Sequence, residues 1–308
     1  MTPAPSRSAG DQMTETLSKA PRPRRAPAIA LTRYEQNAMA RFRDWFAAAQ
    51  AAPDPAGAAR PAPAVDEANP RLLLLCMTPR SGSTALSAAL AASRRLGLGG
   101  ERLNRNTRFM TDIIAAERPE TPRALLERVI AGARTPNGVA QIKCDLPQVL
   151  PFLLDPACFA ILRNAALVYL TREDVLAQAI SRYRGFQAGV WHAGKEGAGK
   201  EAEPAGKAAE APYDFHGISD QLAFIANMMQ GYERLFGALG LKPLRITYEG
   251  MTADTPGTLA RIAALLGESL PPDLDLAAGG FAPVSGRNNS DLRDCFLTDA
   301  RAFLLKGG

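Results

Sequence analysis

The hydrophobic pattern of the chain alternates between short apolar runs and longer stretches in which apolar residues recur every three or four positions. The run Leu72–Met77 is continuously apolar, as expected of a strand that is buried on both faces of a parallel sheet. Similar strands are predicted at 139–144, 166–170 and 244–248. The longest helical stretch has its apolar face at Ile218, Leu222, Ile225, Met229, Tyr232, Phe236 and Leu239. Strand and helix in repeated alternation predict an α/β domain, a three-layer parallel sheet with helices on both faces.

The first 70 residues differ in composition from the rest of the chain, with 19 alanines and 10 prolines. Proline interrupts helices, so most of this region is predicted to be extended. The exception is 31–52, whose apolar spacing predicts an amphipathic helix that docks on the domain or on a second subunit, as in a homodimer. We therefore predict a disordered arm (1–30), this helix (31–52), a linker (53–70) and one domain (71–308). The domain contains a mobile low-complexity loop (195–211).

Composition and charge narrow the class of protein. The 308 residues are 46% hydrophobic and 22% charged, which is usual for a soluble enzyme, and no apolar run is long enough to cross a bilayer. The net charge of +5 is too small to indicate nucleic acid binding. The four cysteines form no CxxC pair and there are only two histidines, so we expect no metal site, no disulfide framework and a cytoplasmic location.

The clearest local motif lies between the first predicted strand and a predicted helix and reads Thr78-Pro79-Arg80-Ser81-Gly82-Ser83-Thr84. Backbone N–H groups converge in such a turn and the helix dipole adds partial positive charge, so the motif predicts a phosphate site. Gly82 lets the backbone approach a ligand closely, and Arg80 adds a fixed positive charge. Hydroxyl donors come from Ser81, Ser83 and Thr84. The turn lacks the second Gly and the Lys of GxxxxGK[ST], which disfavours a P-loop nucleotide kinase or nucleotidase, the runner-up class.

A second motif, residues 167–181, is typical of a strand followed by a helix, with Arg172 near the strand end and Ser181 inside the helix. Nine helical positions amount to about half a turn out of phase. The two side chains can therefore reach one ligand only if Arg172 precedes the helix. Lys143 lies on another predicted strand, near the carboxyl end of the sheet, where ligands bind in such folds.

Several motifs in this order resemble the bacterial sulfotransferase family typified by trehalose 2-sulfotransferase, over roughly residues 70–300. The matching segments are TPRSGST at 78–84, G-x-x-x-E-x-L-N at 97–104, TREDVLAQAIS at 171–181, residues 187–191, Tyr213-Asp214-Phe215 and RITYEG at 245–250. The resemblance implies a P-loop-like sulfotransferase fold. It also implies transfer of a sulfuryl group, without a metal, from 3′-phosphoadenosine 5′-phosphosulfate (PAPS) to a carbohydrate hydroxyl of a trehalose-like sugar or a glycolipid. A catalytically inactive, nucleotide-binding member of the family is a further alternative.

The resemblance assigns roles to individual residues. Glu101 is expected to be the general base that takes the proton of the acceptor hydroxyl, with His192 as the alternative base. Arg80 is expected to neutralise the charge that develops on the leaving phosphate. The donor is expected to contact Arg80, Ser81, Gly82, Ser83, Thr84, Arg172, Ser181, Tyr248 and Arg287. The acceptor is expected to contact Gly97, Asn104, Lys143 and Trp191, although a core position is the alternative interpretation of Trp191 and of Tyr248.

Overall fold

The computed structural model describes residues 29–51, 63–188, 211–271, 274 and 287–305. Some predicted features fall outside these residues. They are nearly all of the arm 1–30, residues 53–62 of the linker, Trp191, His192 and the loop 195–211 except for Ala211.

Within the described residues, four parallel strands form one sheet in the order β2-β1-β3-β4. The strands are β1 (Leu72–Met77), β2 (Ala140–Cys144), β3 (Ala166–Thr171) and β4 (Leu244–Thr247). In register, Leu73 of β1 lies between Gln141 of β2 and Ala166 of β3. The predicted α/β class with a parallel sheet is confirmed.

Helices surround the sheet. They are α1 (Arg33–Ala51), α2 (Ser83–Ala92), α3 (Arg108–Glu117), α4 (Pro122–Gly132), α5 (Leu146–Leu153), α6 (Pro156–Leu162), α7 (Val175–Ala188), α8 (Phe215–Leu239), α9 (Tyr248–Ala253), α10 (Thr255–Leu265) and α11 (Arg287–Leu305). In the part of the chain that the structure describes, no helix has both the length and the apolar character needed to span a membrane.

The fourth strand ends one residue earlier than the pattern predicts. The Thr247 hydroxyl accepts a hydrogen bond from the backbone N–H of Gly250 at 3.1 Å and so caps α9. Tyr248 therefore begins a helix instead of ending a strand. This change turns Tyr248 toward the loop that follows β1, as described below.

The core lies on both faces of the sheet because successive strand residues point to opposite sides. On one face, Val168 and Leu170 belong to a cluster with residues of α2, α9 and α10. On the other face, Tyr169 contacts Tyr232 and Phe236 of α8, with ring centroids 5.1 and 5.3 Å apart. These contacts make the three layers that the alternating sequence pattern predicts.

Helix α1 packs against α5 and α8. Its N-terminus is a capping box, in which Thr32 and Glu35 exchange backbone-to-side-chain hydrogen bonds of 2.8 and 3.3 Å. The same Glu35 carboxylate is 2% exposed and forms an ion pair with Arg234 of α8. Further along α1, the ring of Phe42 meets Phe152 of α5 edge-on at 5.2 Å. The Glu35–Arg234 ion pair and aromatic contacts with α5 and α8 thus help to hold α1 on the domain.

Replacement of Glu35 tests this attachment. Glu35→Gln should lower the free energy of unfolding by about 1–3 kcal/mol, because the Arg234 guanidinium loses its buried partner. Glu233→Gln is the control, since its ion pair with Arg245 joins side chains that are about half exposed, and it should cost less than ~1 kcal/mol. Urea unfolding measures both values. Equal losses of unfolding free energy in the two variants would show that the Glu35–Arg234 pair stabilises the protein no more than an exposed ion pair does.

Candidate active site

The loop after β1 is held in place by a glutamine from α7. The Gln178 side-chain amide donates to the Thr78 hydroxyl at 2.8 Å and to the Pro79 carbonyl at 2.7 Å. The loop closes on itself where the backbone N–H of Ser81 donates to the Thr78 carbonyl at 3.3 Å. Because β1 lies between β2 and β3, this loop occupies the switch point of the sheet, where ligands bind in open α/β folds.

Gly82 is required by the geometry of the turn. Its φ is +84°, a left-handed value, and a Cβ there would lie 2.5 Å from the Tyr248 ring. Gly82 is also the N-cap of α2 and provides no side chain to cap the helix. The backbone N–H groups in the first turn of α2 can therefore bind an anion. The neighbouring Ser81 hydroxyl is buried and has no hydrogen-bond partner. A helix N-terminus and an unpartnered buried hydroxyl thus meet at one point.

Arginine side chains converge on the same loop. The Nε of Arg80 donates to the Ser181 hydroxyl at 3.0 Å, so two predicted donor contacts lie together. Burial lowers the pKa of Arg80, and the positive charges of Arg172 and Arg184 lower it further. Such a cluster of cations is unfavourable by itself and becomes favourable when it binds an anion.

Arg172 follows β3 directly and precedes α7, which is the condition that the spacing of the second motif required. Its guanidinium lies over the Tyr248 ring, 4.8 Å from the centroid. The Glu249 carboxylate lies 3.9 Å from the Arg172 Nε. That carboxylate also accepts from the backbone N–H groups of Glu173 and Asp174, at 3.0 and 3.4 Å. Arg172 and Tyr248 are therefore both brought to the loop.

Arg184 lies close enough to Arg80 for its charge to lower the pKa of Arg80, and it was not predicted from the sequence. It lies three positions after Ser181 on α7, which puts both residues on one face of the helix, and this spacing was the available signal. The Arg184 guanidinium donates to the Asn289 side chain of α11 at 2.7 Å. The predicted donor residue Arg287 begins α11, but its side chain lies outside the described part of the structure.

On the β2 side of the loop, Glu101 is held by three side chains. The amides of Asn104 and Gln148 donate to its Oε2 at 3.0 and 3.2 Å. The ammonium of Lys143 lies 3.4 Å from its Oε1 and donates to the Thr84 hydroxyl of the loop at 3.0 Å. Lys143 thus connects the predicted phosphate site with the predicted base. Gln148 was not predicted, although D-x-x-Q at the start of α5 is a capping-box signature.

The segment before Glu101 runs along the outer edge of β2, where the backbone N–H of Lys143 donates to the Gly100 carbonyl at 3.0 Å. Gly97 has a φ of +87°, and a Cβ there would lie 2.2 Å from the backbone nitrogen of Gln141. The Ser87 hydroxyl of α2 accepts from the Gly100 N–H at 3.2 Å and from the Gln141 amide at 2.9 Å. Backbone packing is therefore sufficient to explain the glycine at position 97, and its contact with an acceptor stays a prediction.

A pocket of about 300 Å³ opens beside these residues. Its walls are α1, residues 103–110 and the start of α5. Asn104 and Gln148, which hold Glu101, both line it. Of the predicted acceptor residues, the structure thus brings Asn104 and Lys143 to Glu101, while Trp191 falls outside the described residues. His192, the alternative base, also falls outside the described residues.

Asp145 lies on the pocket wall and caps α5 by accepting from the Gln148 N–H at 3.0 Å. The pKa of Asp145 is raised to about 7, chiefly by burial and also by the negative charge of Glu101. The hydrogen bond from Gln148 and the charge of Arg182 oppose this shift. A carboxyl group that is about half protonated at pH 7 thus lies near the predicted base.

A parallel α/β sheet whose first strand leads, at the switch point, into a turn with an open helix N-terminus is typical of P-loop-like proteins that bind phosphorylated ligands. The turn has no Gly-Lys pair. Among the described residues, no group of three or more His, Cys, Asp and Glu side chains is arranged to hold a metal ion.

Comparison with protein families identifies the branch of this class. The family model described as Stf0 sulphotransferase matches residues 73–285. This is more than half of the chain, and the protein belongs to the Stf0 sulphotransferase family, which is the trehalose 2-sulfotransferase family. The predicted family is confirmed, and it supports sulfotransfer as the activity. No curated protein matches the chain.

The raised pKa of Asp145 predicts a pH dependence of stability. The folded state keeps the proton up to about pH 7, whereas the unfolded state releases it near pH 4, so folding binds a proton between these values. Stability should therefore fall as the pH rises from about 4 to about 7. Asp145→Asn keeps a side chain that can cap α5 and should remove this loss, so that above pH 7 it is more stable than the wild type by roughly 2–4 kcal/mol.

Urea unfolding at about pH 4.5, 6 and 8 measures the difference in free energy of unfolding between Asp145→Asn and the wild type. These pH values span roughly the range over which the stability is expected to change. Asp254→Asn, on the exposed N-cap of α10, is the matched control and should show no gain above pH 7. A stability difference between Asp145→Asn and the wild type that does not grow with pH would contradict the shift.

Proposed function

We propose that the protein transfers the sulfuryl group of PAPS to a carbohydrate hydroxyl, with Glu101 as the general base. One observation carries the proposal: Lys143 contacts both Thr84 of the anion-binding loop and Glu101. Lys143 thereby bridges a phosphate-binding turn and a carboxylate. Transfer from a nucleotide to a hydroxyl requires such an arrangement, because the donor and the base must lie close together.

The residues of the loop fit a donor with two phosphate-containing groups. The Ser81 hydroxyl and the open first turn of α2 suit the phosphosulfate end. On the other side of the loop, Arg172 and Ser181 suit the 3′-phosphate, because they combine a fixed positive charge with a hydroxyl donor. Arg80 is left for the phosphate that carries the sulfuryl group. When bound, the donor supplies the sulfuryl group and leaves as adenosine 3′,5′-bisphosphate.

Glu101 is oriented for proton removal. Its Oε2 accepts from two amides, which fixes the carboxylate plane, while its Oε1 faces Lys143. A sugar hydroxyl is a weak acid, so Glu101 takes the proton as the new oxygen–sulfur bond forms and the bond between sulfur and the phosphate oxygen breaks. Arg80 and the first turn of α2 stabilise the negative charge that moves onto that phosphate.

Two alternative functions, a P-loop kinase and a catalytically inactive family member, would require different residues at this site. A P-loop kinase holds its phosphates with a lysine inside the loop. In this protein the loop contains no lysine, and Lys143 of β2 contacts it from outside, with its ammonium 3.0 Å from the Thr84 hydroxyl. A family member that binds nucleotide without turnover needs no oriented carboxylate, and the three contacts to Glu101 disfavour that alternative.

The donor site is tested by two arginine substitutions. Arg80→Ala and Arg172→Ala should each weaken binding of adenosine 3′,5′-bisphosphate by roughly 10- to 100-fold, because each removes a charge-assisted contact. Arg163→Ala is the matched control: Arg163 precedes the amino end of β3, whereas Arg172 follows its carboxyl end. Calorimetry measures all three affinities, and also those of the wild type for ATP and GTP. Unchanged affinity in both variants, or tighter binding of ATP, would overturn the donor assignment.

The base is tested by Glu101→Gln. The variant keeps the shape of the side chain and loses the proton-accepting carboxylate, so turnover should fall by ~10²–10⁴ while the affinity for the bisphosphate is retained. His192→Gln is the control and should keep most of the activity. Transfer of radiolabelled sulfate from PAPS to a panel of sugars and glycolipids gives the rates. An active Glu101→Gln variant beside an inactive His192→Gln variant would assign the base to His192 instead.

A further inference from the structure

The pocket beside Glu101 is built partly by a helix from outside the family segment. The family model begins at residue 73, whereas α1 ends at Ala51. Nevertheless, α1 contributes one whole wall of the pocket, through Tyr34, Asn37, Ala38, Arg41, Phe42 and Trp45. The opposite wall comes from the family segment, through residues 103–110 and the start of α5. The pocket therefore exists only because α1 is docked there.

Helix α1 is attached at both ends, so its wall has a defined position. Near the N-terminus, the buried Glu35 carboxylate pairs with Arg234 of α8. At the C-terminus, the Gln50 side chain donates to the Pro119 carbonyl at 2.6 Å, and Arg118 donates to the Gln50 carbonyl at 3.1 Å. These contacts fix the helix along its length and bring its inner face to the pocket.

The pocket lies one contact away from Glu101. Asn104 and Gln148 line it, and each donates to the Glu101 carboxylate. At about 300 Å³ its volume is at the lower end of the range for small-molecule sites, which leaves room for about one or two sugar rings. Glu101 itself is not among the lining residues, so a sugar ring in this pocket would lie beside the two amides that hold the carboxylate.

The chemistry of the α1 wall suits a sugar. A sugar ring has an apolar C–H face and a rim of hydroxyl groups. Trp45 and Phe42 provide aromatic surfaces for the apolar face. Asn37 and Arg41 provide hydrogen-bonding groups for the rim, since an amide both donates and accepts and a guanidinium has several donors. An aromatic surface beside such groups matches both parts of a glycoside.

We infer that α1 forms the outer wall of the acceptor subsite and selects the glycoside that is sulfated. This inference rests on the proposed function. The family segment carries the loop, Glu101 and Lys143, whereas the helix that precedes it sets which sugar is held against them.

The test pairs each wall residue with a neighbour that does not line the pocket. Trp45→Leu and Arg41→Ala should raise the KM for the preferred glycoside by about 5- to 50-fold. Asp44→Asn and Arg43→Ala are the controls, because both residues are exposed neighbours of the wall residues that do not line the pocket, and they should leave KM within about twofold. The affinity for adenosine 3′,5′-bisphosphate should be the same in all four variants, which also shows that each is folded.

The outcomes separate this inference from the proposed function. A wild-type chain that sulfates a glycoside, together with unchanged KM values in Trp45→Leu and Arg41→Ala, overturns the role of α1 and leaves the proposed function intact. A wild-type chain that binds the bisphosphate but sulfates no glycoside in the panel overturns the proposed acceptor, and the inference with it. A change in KM for the wall variants alone, with the controls unaffected, supports the inference.

Discussion

The turn between β1 and α2 is the constraint on which the rest of the site depends. β1 is buried in the middle of the sheet, and the chain must leave it and enter α2 within a few residues. Arg80 and Gly82 both adopt positive φ values, +68° and +84°, to make that turn. The Tyr248 ring lies where a side chain at position 82 would point, so β4 and α9 can pack close to the loop only because this residue is glycine.

Because the sheet is parallel, its carboxyl ends meet at one edge and divide the site into two halves around this turn. On the β3 and β4 side, Arg80, Arg172 and Arg184 concentrate positive charge around the Ser181 hydroxyl. On the β2 side, Lys143 and two amides surround the Glu101 carboxylate. The first half is suited to hold a polyanion and the second to remove a proton. Lys143 reaches Thr84 and links the halves, so their spacing is set by the distance between neighbouring strands.

The sequence was informative where one local pattern determined the structure. The run Leu72–Met77 and the small-residue turn after it predicted the central strand and its loop, because a buried strand and a tight turn leave few alternatives. The contacts of Gln148, Arg184 and Asn289 depend on elements that are distant in the chain, and no local pattern contains them. The predicted fourth strand, 244–248, included Tyr248, whereas the cap by Thr247 makes it the first residue of a helix.

Helix α1 shows how a peripheral element can shape a site whose chemistry lies elsewhere. A solvated helix of this composition would gain little from docking through its polar residues, since exposed ion pairs contribute less than ~1 kcal/mol. The contact with α8 instead buries the Glu35 carboxylate, which must be matched by Arg234, and the two therefore specify one position for the helix. The aromatic contact between Phe42 and Phe152 adds apolar burial at that position. With its position specified in this way, α1 presents a fixed aromatic and polar wall toward the residues that hold Glu101, and changes on that wall can alter the pocket without disturbing the loop or the sheet.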